Sequence, residues 1–305
     1  MCVDVVIVNW NAGHLLYECV ESIIRHGGTS VSKIIVVDNN SSDNSVGFIK
    51  DFPQVNLIEA QENLGFGKAC NLGAGHSESD FILFLNPDAR IYPDTLEKVL
   101  EFMKAEENSK VGLCGVQLFN EDGVIARSSS RFPSVSGILS HSMGLSKILP
   151  ILGSNMSEWD HLSTKTVDQI IGAFFFVRQS IFQELKGFDE QFFVYFEEVD
   201  FSFRAKHLGW TSVYFAGAQA FHVGGGSTNQ VKSKRLFYSM RSRIQYVYKH
   251  FTPSKVIVVL FATLFIEPVS RILFSISNKS LISIKETFNA YVMLYEWLVL
   301  RTIKK

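Results

Sequence analysis

Four groups of polar side chains in this sequence have the types and spacing to do chemistry. The first is Glu197-Glu198-Val199-Asp200, three carboxylates within four positions. On a helix Glu197 and Asp200 share a face, and Glu198 points about 100° away from Glu197. Carboxylates crowded this way raise one another's pKa, which suits a general base. Glu198 leads as that base, with Asp200 and Glu197 as alternatives; for Asp200 an i, i+4 ion pair with Arg204 weighs nearly as much. The second is Asp88 in Phe84-Leu85-Asn86-Pro87-Asp88. A hard divalent cation bridging a diphosphate needs one or two protein carboxylates, although Asn-Pro-Asp is also an ordinary turn. The third is His222, beside Val223-Gly224-Gly225-Gly226-Ser227-Thr228. Glycine N–H groups can cradle phosphate oxygens, so His222 is a candidate ligand for the metal or the diphosphate. The fourth is Asp38 in Val36-Val37-Asp38-Asn39-Asn40-Ser41-Ser42-Asp43, where a carboxylate can accept from a pyrimidine ring N–H. Capping of the next helix then falls to Ser41 or Ser42, leaving Asp38 free for a ligand.

Several nucleotide chemistries are excluded. There is no GxxxxGK[ST]. Gly65-Phe66-Gly67 lacks the third glycine of a dinucleotide fingerprint, because position 70 is Cys70, and it follows the third strand instead of the first. The net charge of -1 gives no argument for nucleic acid as a partner. Locally, residues 201–266 contain no Asp or Glu but nine Lys or Arg, a stretch suited to phosphates or anionic lipid. Cys2, Cys19, Cys70 and Cys114 form no CxxC and read as reduced thiols of a cytoplasmic protein. Met1-Cys2-Val3-Asp4 has no basic leader and points away from a signal peptide.

These residues need a scaffold, and the first hundred positions predict one. Strands at 3–8, 33–37, 55–59 and 81–85 alternate with helices at 14–25, 42–50, 67–75 and 94–106, the pattern of a mainly parallel sheet covered by helices. Ligands bind such sheets at the carboxyl ends of the strands, where Asn9, Asp38 and Asp88 all fall. Residues 127–165 read as an insertion on the acceptor side or a long surface loop. A strand is expected over 168–177, a helix over 195–208 and a strand over 211–215. Two regions follow: 1–228 as the catalytic domain and 229–305 as a helical tail. The tail opens on a basic helix at 232–250. Its apolar runs, 256–266 broken by Glu267-Pro268 and 290–300 containing Glu296, are each shorter than the roughly 18 residues of a membrane span. They fit interfacial attachment to a membrane, a helical cap on the catalytic domain, or an oligomer contact.

Together these motifs resemble the family-2, GT-A fold, inverting glycosyltransferases, with the rhamnosyltransferase-like subgroup as the best match. The matching residues are Val6-Ile7-Val8-Asn9-Trp10-Asn11, Val37-Asp38-Asn39-Asn40-Ser41, Asn63-Leu64-Gly65-Phe66-Gly67 with Asn71, Leu85-Asn86-Pro87-Asp88, Gly172-Ala173-Phe174-Phe175, Gly187-Phe188-Asp189-Glu190, Glu197-Glu198-Val199-Asp200 and His222. The resemblance implies a GT-A fold and a nucleotide diphosphate sugar donor held by Val8, Asn9, Asn11, Asp38, Asn63, Gly65, Asn71, Asn86 and Asp88. It implies Mg²⁺ or Mn²⁺ on Asp88 and His222, with Asn86 replacing the first Asp of the family's Asp-x-Asp, and a base at Glu198 or Asp200. It further implies transfer, first of L-rhamnose from dTDP-rhamnose, to a glycan or lipid-linked acceptor in cell-surface polysaccharide synthesis at the cytoplasmic face of the inner membrane. A metal-dependent sugar nucleotidyltransferase and a non-catalytic scaffold of a polysaccharide assembly complex are the competing readings.

Overall fold

The computed structural model describes residues 2–224 and 232–303, less the side chains of residues 147, 302 and 303. β1 (Val3–Asn9), β2 (Val31–Asp38) and β4 (Phe81–Leu85) are rich in Val, Ile, Leu and Phe, the composition of strands covered on both faces; β3 (Val55–Glu59) carries Asn56 and Glu59 and is only partly buried. β1 and β4 are buried at every position. β1 pairs in parallel with β2 on one side and β4 on the other, and β3 extends the sheet beyond β2. Strand order therefore reverses between β1 and β4, which opens a crevice at their carboxyl ends. α1 (His14–His26), α2 (Phe66–Ala74) and α3 (Thr95–Lys104) are the crossovers.

The rest of the sheet is mixed. After β5 (Ala89–Ile91), β6 (Val111–Phe119), β7 (Ile125–Ala126), β8 (Ser129–Ser130), β9 (Lys165–Val167), β10 (Gln169–Ile170), β11 (Phe174–Arg178) and β12 (Thr211–His222) complete the strands. The order is β3-β2-β1-β4-β11-β6-β12-β5, with β7 on β6, β9 on β12, and β8–β10 a separate pair. β11 runs antiparallel to both β4 and β6. α5 (Gln179–Glu184) and α6 (Glu197–His207) complete this layer.

Three expected elements differ. The helix over 42–50 is absent; only a 3-10 turn, Val46–Phe48, forms there. Ser41 N–H donates to Asp38, Ser42 N–H to Asn11 and Ser45 N–H to Asp43, and such side-chain acceptors compete with helical bonding. The strand over 168–177 is two pieces: β10 leaves the main sheet to pair with β8, and β11 rejoins it. β12 continues to His222 because its last residues pair with both β6 and β5.

The chain divides into two compact units. The first is Met1–Phe132, Trp159–Phe193 and Glu197–Ser227; the second is Pro133–Glu158, Val194–Phe196 and Thr228–Lys305. Of the 127–165 stretch, read as an insertion or a long surface loop, residues 133–158 thus group with the tail. The second unit contains α4 (Val135–Ser142), α7 (Lys232–His250), α8 (Pro253–Phe261), α9 (Glu267–Ser277) and α10 (Leu281–Ile303). Met240 and Ile244 of α7 pack on Ala290, Tyr291 and Leu294 of α10, and Tyr291 Oη donates to Thr263 O at 2.9 Å. Glu267-Pro268 does not break the apolar run. A π turn, Ala262–Ile266, joins α8 to α9, with Glu267 N–H donating to Ala262 O. Pro268 then falls in the first turn of α9, where a missing N–H costs little. Pro253–Ser277 is one 25-residue helix containing an 18-residue window of mean hydropathy 2.1, long and apolar enough to cross a membrane by length and composition.

Candidate active site

The carboxyl ends of β1 and β2 are tied together by buried polar side chains. Asn9 Nδ2 lies 2.7 Å from Asp38 Oδ1, 3.0 Å from Ser41 Oγ and 2.8 Å from Ser45 Oγ. Asp38 Oδ2 accepts Ser41 N–H at 3.1 Å. Asp38 is therefore not free in the sense its strand-end position suggested. Each oxygen already accepts one donor and keeps a further lone pair. Asn11, with φ of 52°, accepts Ser42 N–H on Oδ1 at 2.7 Å, which latches the β1 loop to the β2 loop. Val8 is buried and pairs with Val37 one step before Asn9 and Asp38, so its contribution is the strand's register.

The next loop along the edge belongs to β3–α2. Asn39, buried beside Asp38, donates from Nδ2 to Asn63 Oδ1 at 3.0 Å and to Gly65 O at 3.2 Å, and accepts Leu64 N–H at 2.8 Å. Gly65 has φ of 81°, and a Cβ there would overlap the Phe193 carbonyl oxygen. Phe66 N–H donates to that same oxygen at 2.6 Å. Asn71, taken from the sequence as a donor-pocket residue, has its amide engaged by protein instead: Phe188 N–H donates to Oδ1, and Nδ2 donates to Phe188 O and Glu190 Oε1. It holds the 187–190 segment.

Asp88 and His222 are brought together by the sheet. β4 ends at Leu85, the turn closes with Ala89 N–H donating to Asn86 O, and β5 then pairs antiparallel with β12 so that Ala89 faces His222. His222 Nε2 lies 3.2 Å from Asp88 Oδ1 and 3.5 Å from Asn86 Nδ2. Val223 N–H donates to Asp88 O at 3.1 Å. Behind the turn, α1 supplies Cys19, whose thiol pKa is raised by burial and by the charge of Asp88. Gly224 has φ of 78°; the remainder of the expected phosphate cradle, residues 225–228, lies outside the described residues.

The α6 carboxylates separate by environment. Asp200 is fully buried, and Arg204 Nε donates to it at 2.7 Å. Arg204 also donates to Leu185 O and Gly187 O. Asp200 thus forms the i, i+4 pair with Arg204 that its spacing allowed. Glu197 is also buried, with its Cβ beside Gly67 of α2. Glu198 is half-buried. Both glutamates, after burial, raise the thiol pKa of Cys70 on α2, which puts them at the α2–α6 seam. Tyr195 and Phe196, directly before α6, have φ of 67° and 72°; two consecutive non-glycine residues in that region are strained backbone of the kind concentrated at functional sites.

A divalent cation fits this donor set. An imidazole nitrogen and a carboxylate oxygen, 3.2 Å apart on side chains only 13% and 12% exposed, suit Mn²⁺ or Mg²⁺ whose other positions go to diphosphate oxygens and water. No cluster of three or more His, Cys, Asp or Glu occurs among the described residues. Residues 4–186 match the family model described as Glycosyl transferase family 2. The chain belongs to this family. It is a glycosyltransferase, which sets aside the nucleotidyltransferase reading. Among its relatives is the N-acetylglucosaminyl-diphospho-decaprenol L-rhamnosyltransferase of Mycobacterium tuberculosis (strain ATCC 25618 / H37Rv), 28% identical over 252 residues, 76% of this chain and 79% of the relative. The rhamnosyltransferase WbbL of Escherichia coli (strain K12) is 26% identical over 225 residues, 70% of this chain and 81% of the relative. The mannosyltransferase PcManGT of Pyrobaculum calidifontis, solved with GDP-Man and Mn²⁺, superposes with a TM-score of 0.58 at 13% identity, over 96% of this chain and 86% of that one. These likenesses bear out the GT-A fold, a mainly parallel sheet followed by C-terminal helices.

Two contributors to this family-2 site were not singled out in the sequence. Asn39 is the hub joining the β2 and β3–α2 loops, yet it sits in a run of Asn and Ser that reads as turn composition. Phe193 anchors the β3–α2 loop through its carbonyl oxygen, a main-chain role that its side-chain type does not signal.

Proposed function

We propose that this glycosyltransferase transfers L-rhamnose from dTDP-L-rhamnose, with inversion, to a hydroxyl of a lipid-linked glycan acceptor in cell-surface polysaccharide synthesis. The single observation carrying the donor site is the Asp88–His222 pair, 3.2 Å apart at the crevice where strand order reverses. The rhamnosyl assignment rests on the two named rhamnosyltransferases.

In this reading Asp38 accepts the N–H of the base ring with its remaining lone pairs, and Asn9, Asn39 and Asn63 hold the wall against which the nucleoside lies. Asp88 and His222 hold Mn²⁺ or Mg²⁺, which when bound offsets charge on the leaving diphosphate. Glu198 accepts the proton of the acceptor hydroxyl as its oxygen bonds to the anomeric carbon. The bond from that carbon to the diphosphate oxygen breaks, the electron pair leaves with the nucleoside diphosphate, and the configuration inverts. Positioned proton acceptance of this kind contributes roughly 10²–10⁴-fold in rate. The second unit attaches peripherally at the cytoplasmic face of the inner membrane. Its 25-residue apolar helix carries Glu267 and Arg271, charges that suit an in-plane position better than a span. Transfer assays with dTDP-rhamnose, UDP-sugars and GDP-mannose on a polyprenyl diphosphate-linked N-acetylglucosamine acceptor test the reading. Turnover with dTDP-rhamnose supports it, and turnover with another donor alone refutes the sugar assignment.

A further inference from the structure

The second unit pairs its buried and half-buried arginines with an acid in one place and not in another. Arg243 and Arg271 both pair with buried Glu267. Arg241, two residues earlier on α7, and Arg301, near the end of α10, have no such acid. Their guanidinium carbons lie 5.7 and 5.4 Å from the centroid of one ring, Trp297, and Arg301 also lies 4.8 Å from the Tyr248 ring. Nε of Arg241 and Nη1 of Arg301 are withdrawn from solvent, and neither has an acceptor among the described residues. Burial depresses the Arg241 pKa, Tyr238 opposes that shift and the charge of Arg301 adds to it. Two like charges against one indole, each with one nitrogen out of water and without an acceptor, are unfavourable for the protein alone. An anion with several acceptor oxygens reverses that balance, and planar guanidinium forks match phosphate.

We propose that Arg241, Arg301 and Trp297, with Tyr248 beside them, form a phosphate-binding site made of none of the residues assigned to the sugar donor. Two sources carry that chemistry, a phospholipid headgroup and a free diphosphate. The surroundings suit the lipid. Trp297 packs on the cluster of Met240, Ile244, Ala290, Tyr291 and Leu294, as do Leu260 and Leu264 of the Pro253–Ser277 helix, whose Phe261 and Phe265 are exposed. Residues 232–301 carry eleven Lys and Arg against three acids, Glu267, Glu286 and Glu296. A lipid phosphate would meet the arginines while its chains meet the apolar helix, and indole rings favour that boundary.

The test uses the full chain and two double variants, Arg241→Gln/Arg301→Gln and Arg241→Lys/Arg301→Lys. The lysine pair keeps the charge and loses the fork, and thermal melts establish that each variant folds. Co-sedimentation with phosphatidylcholine vesicles, with and without phosphatidylglycerol, reads the lipid source. Calorimetry with sodium pyrophosphate in EDTA, which keeps metal from Asp88 and His222, reads the soluble source. The site predicts that the glutamine pair loses about tenfold or more in affinity for the anionic vesicles, as expected for two basic contacts removed from a charged surface, and that the lysine pair, which keeps the charge without the planar fork, also binds them more weakly than the wild type. Loss of pyrophosphate binding with vesicle binding intact assigns the same site to a soluble diphosphate. If the lysine pair binds both probes like the wild type, the arginines contribute only charge and the proposal is overturned. Neither readout depends on sugar transfer, so failure here leaves the donor assignment standing, and the reverse holds.

Discussion

At the scale of single residues, burial sorts three neighbouring carboxylates into different work. Spacing along a helix puts Glu197, Glu198 and Asp200 within reach of one another, but it does not reveal what lies opposite. Asp200 meets Arg204 in the interior, so the i, i+4 pair visible in the sequence is the reading that holds. Asp200→Asn leaves the Arg204 charge buried beside a neutral amide. Chemical denaturation should show a loss of about 3–5 kcal/mol, the cost of breaking a buried pair. Glu198→Gln, at a half-buried position, should leave the melting temperature and donor affinity unchanged and lower turnover by roughly 10²–10⁴-fold. Wild-type turnover in Glu198→Gln would move the base elsewhere. Asp88 and His222 were legible as separate candidates. Their meeting was expected only through the family resemblance, since spacing does not show it: 133 residues separate them and the β5–β12 pairing closes the gap.

At the scale of elements, the parallel half of the sheet follows from its sequence. β1 to β4 are rich in Val, Ile, Leu and Phe and form where the residues predict strands; β3 and β4 keep the expected bounds, β1 runs one residue further and β2 begins two residues earlier and ends one later. The misread elements are those in which side chains or distant partners override local preference. Serines and aspartates of the 41–45 loop take the bonds a helix would use, and the π turn carries a helix through Glu267-Pro268. Gly65 makes the β3–α2 loop testable. Its positive φ and the Phe193 carbonyl leave no room for a methyl group, so Gly65→Ala should destabilise the first unit by about 1–3 kcal/mol. The same variant should weaken nucleoside diphosphate binding by displacing Asn63 and Asn39. Unchanged melting and binding would mean that this loop does not build the pocket wall.

At the scale of the whole molecule, the chain joins a sheet-based unit that carries the chemistry to a helical unit rich in exposed apolar and basic surface. The helical unit contains its own acid-sensitive element. Burial opposes ionisation of Glu267, but Arg243, Arg271 and His141 outweigh it and bring the carboxyl to about 2, below its ordinary 4.5. A depressed carboxylate contributes its full stabilisation above pH 4.5 and loses it as pH falls from there toward 2. That contribution is about 3 kcal/mol. Denaturation of wild type and Glu267→Gln should therefore differ at pH 7 and converge near pH 2; a difference that stays constant with pH contradicts the assignment.

The central claim is that Asp88 and His222 hold a divalent cation against the donor diphosphate. Calorimetric titration of dTDP into wild type and Asp88→Asn, with Mn²⁺ and with EDTA, measures this directly. The account predicts that Mn²⁺ tightens binding to the wild type by about tenfold or more, equivalent to roughly 1.4 kcal/mol, and that Asp88→Asn abolishes the gain. Equal dTDP affinity with Mn²⁺ and with EDTA in the wild type, or an undiminished Mn²⁺ effect in Asp88→Asn, would contradict it.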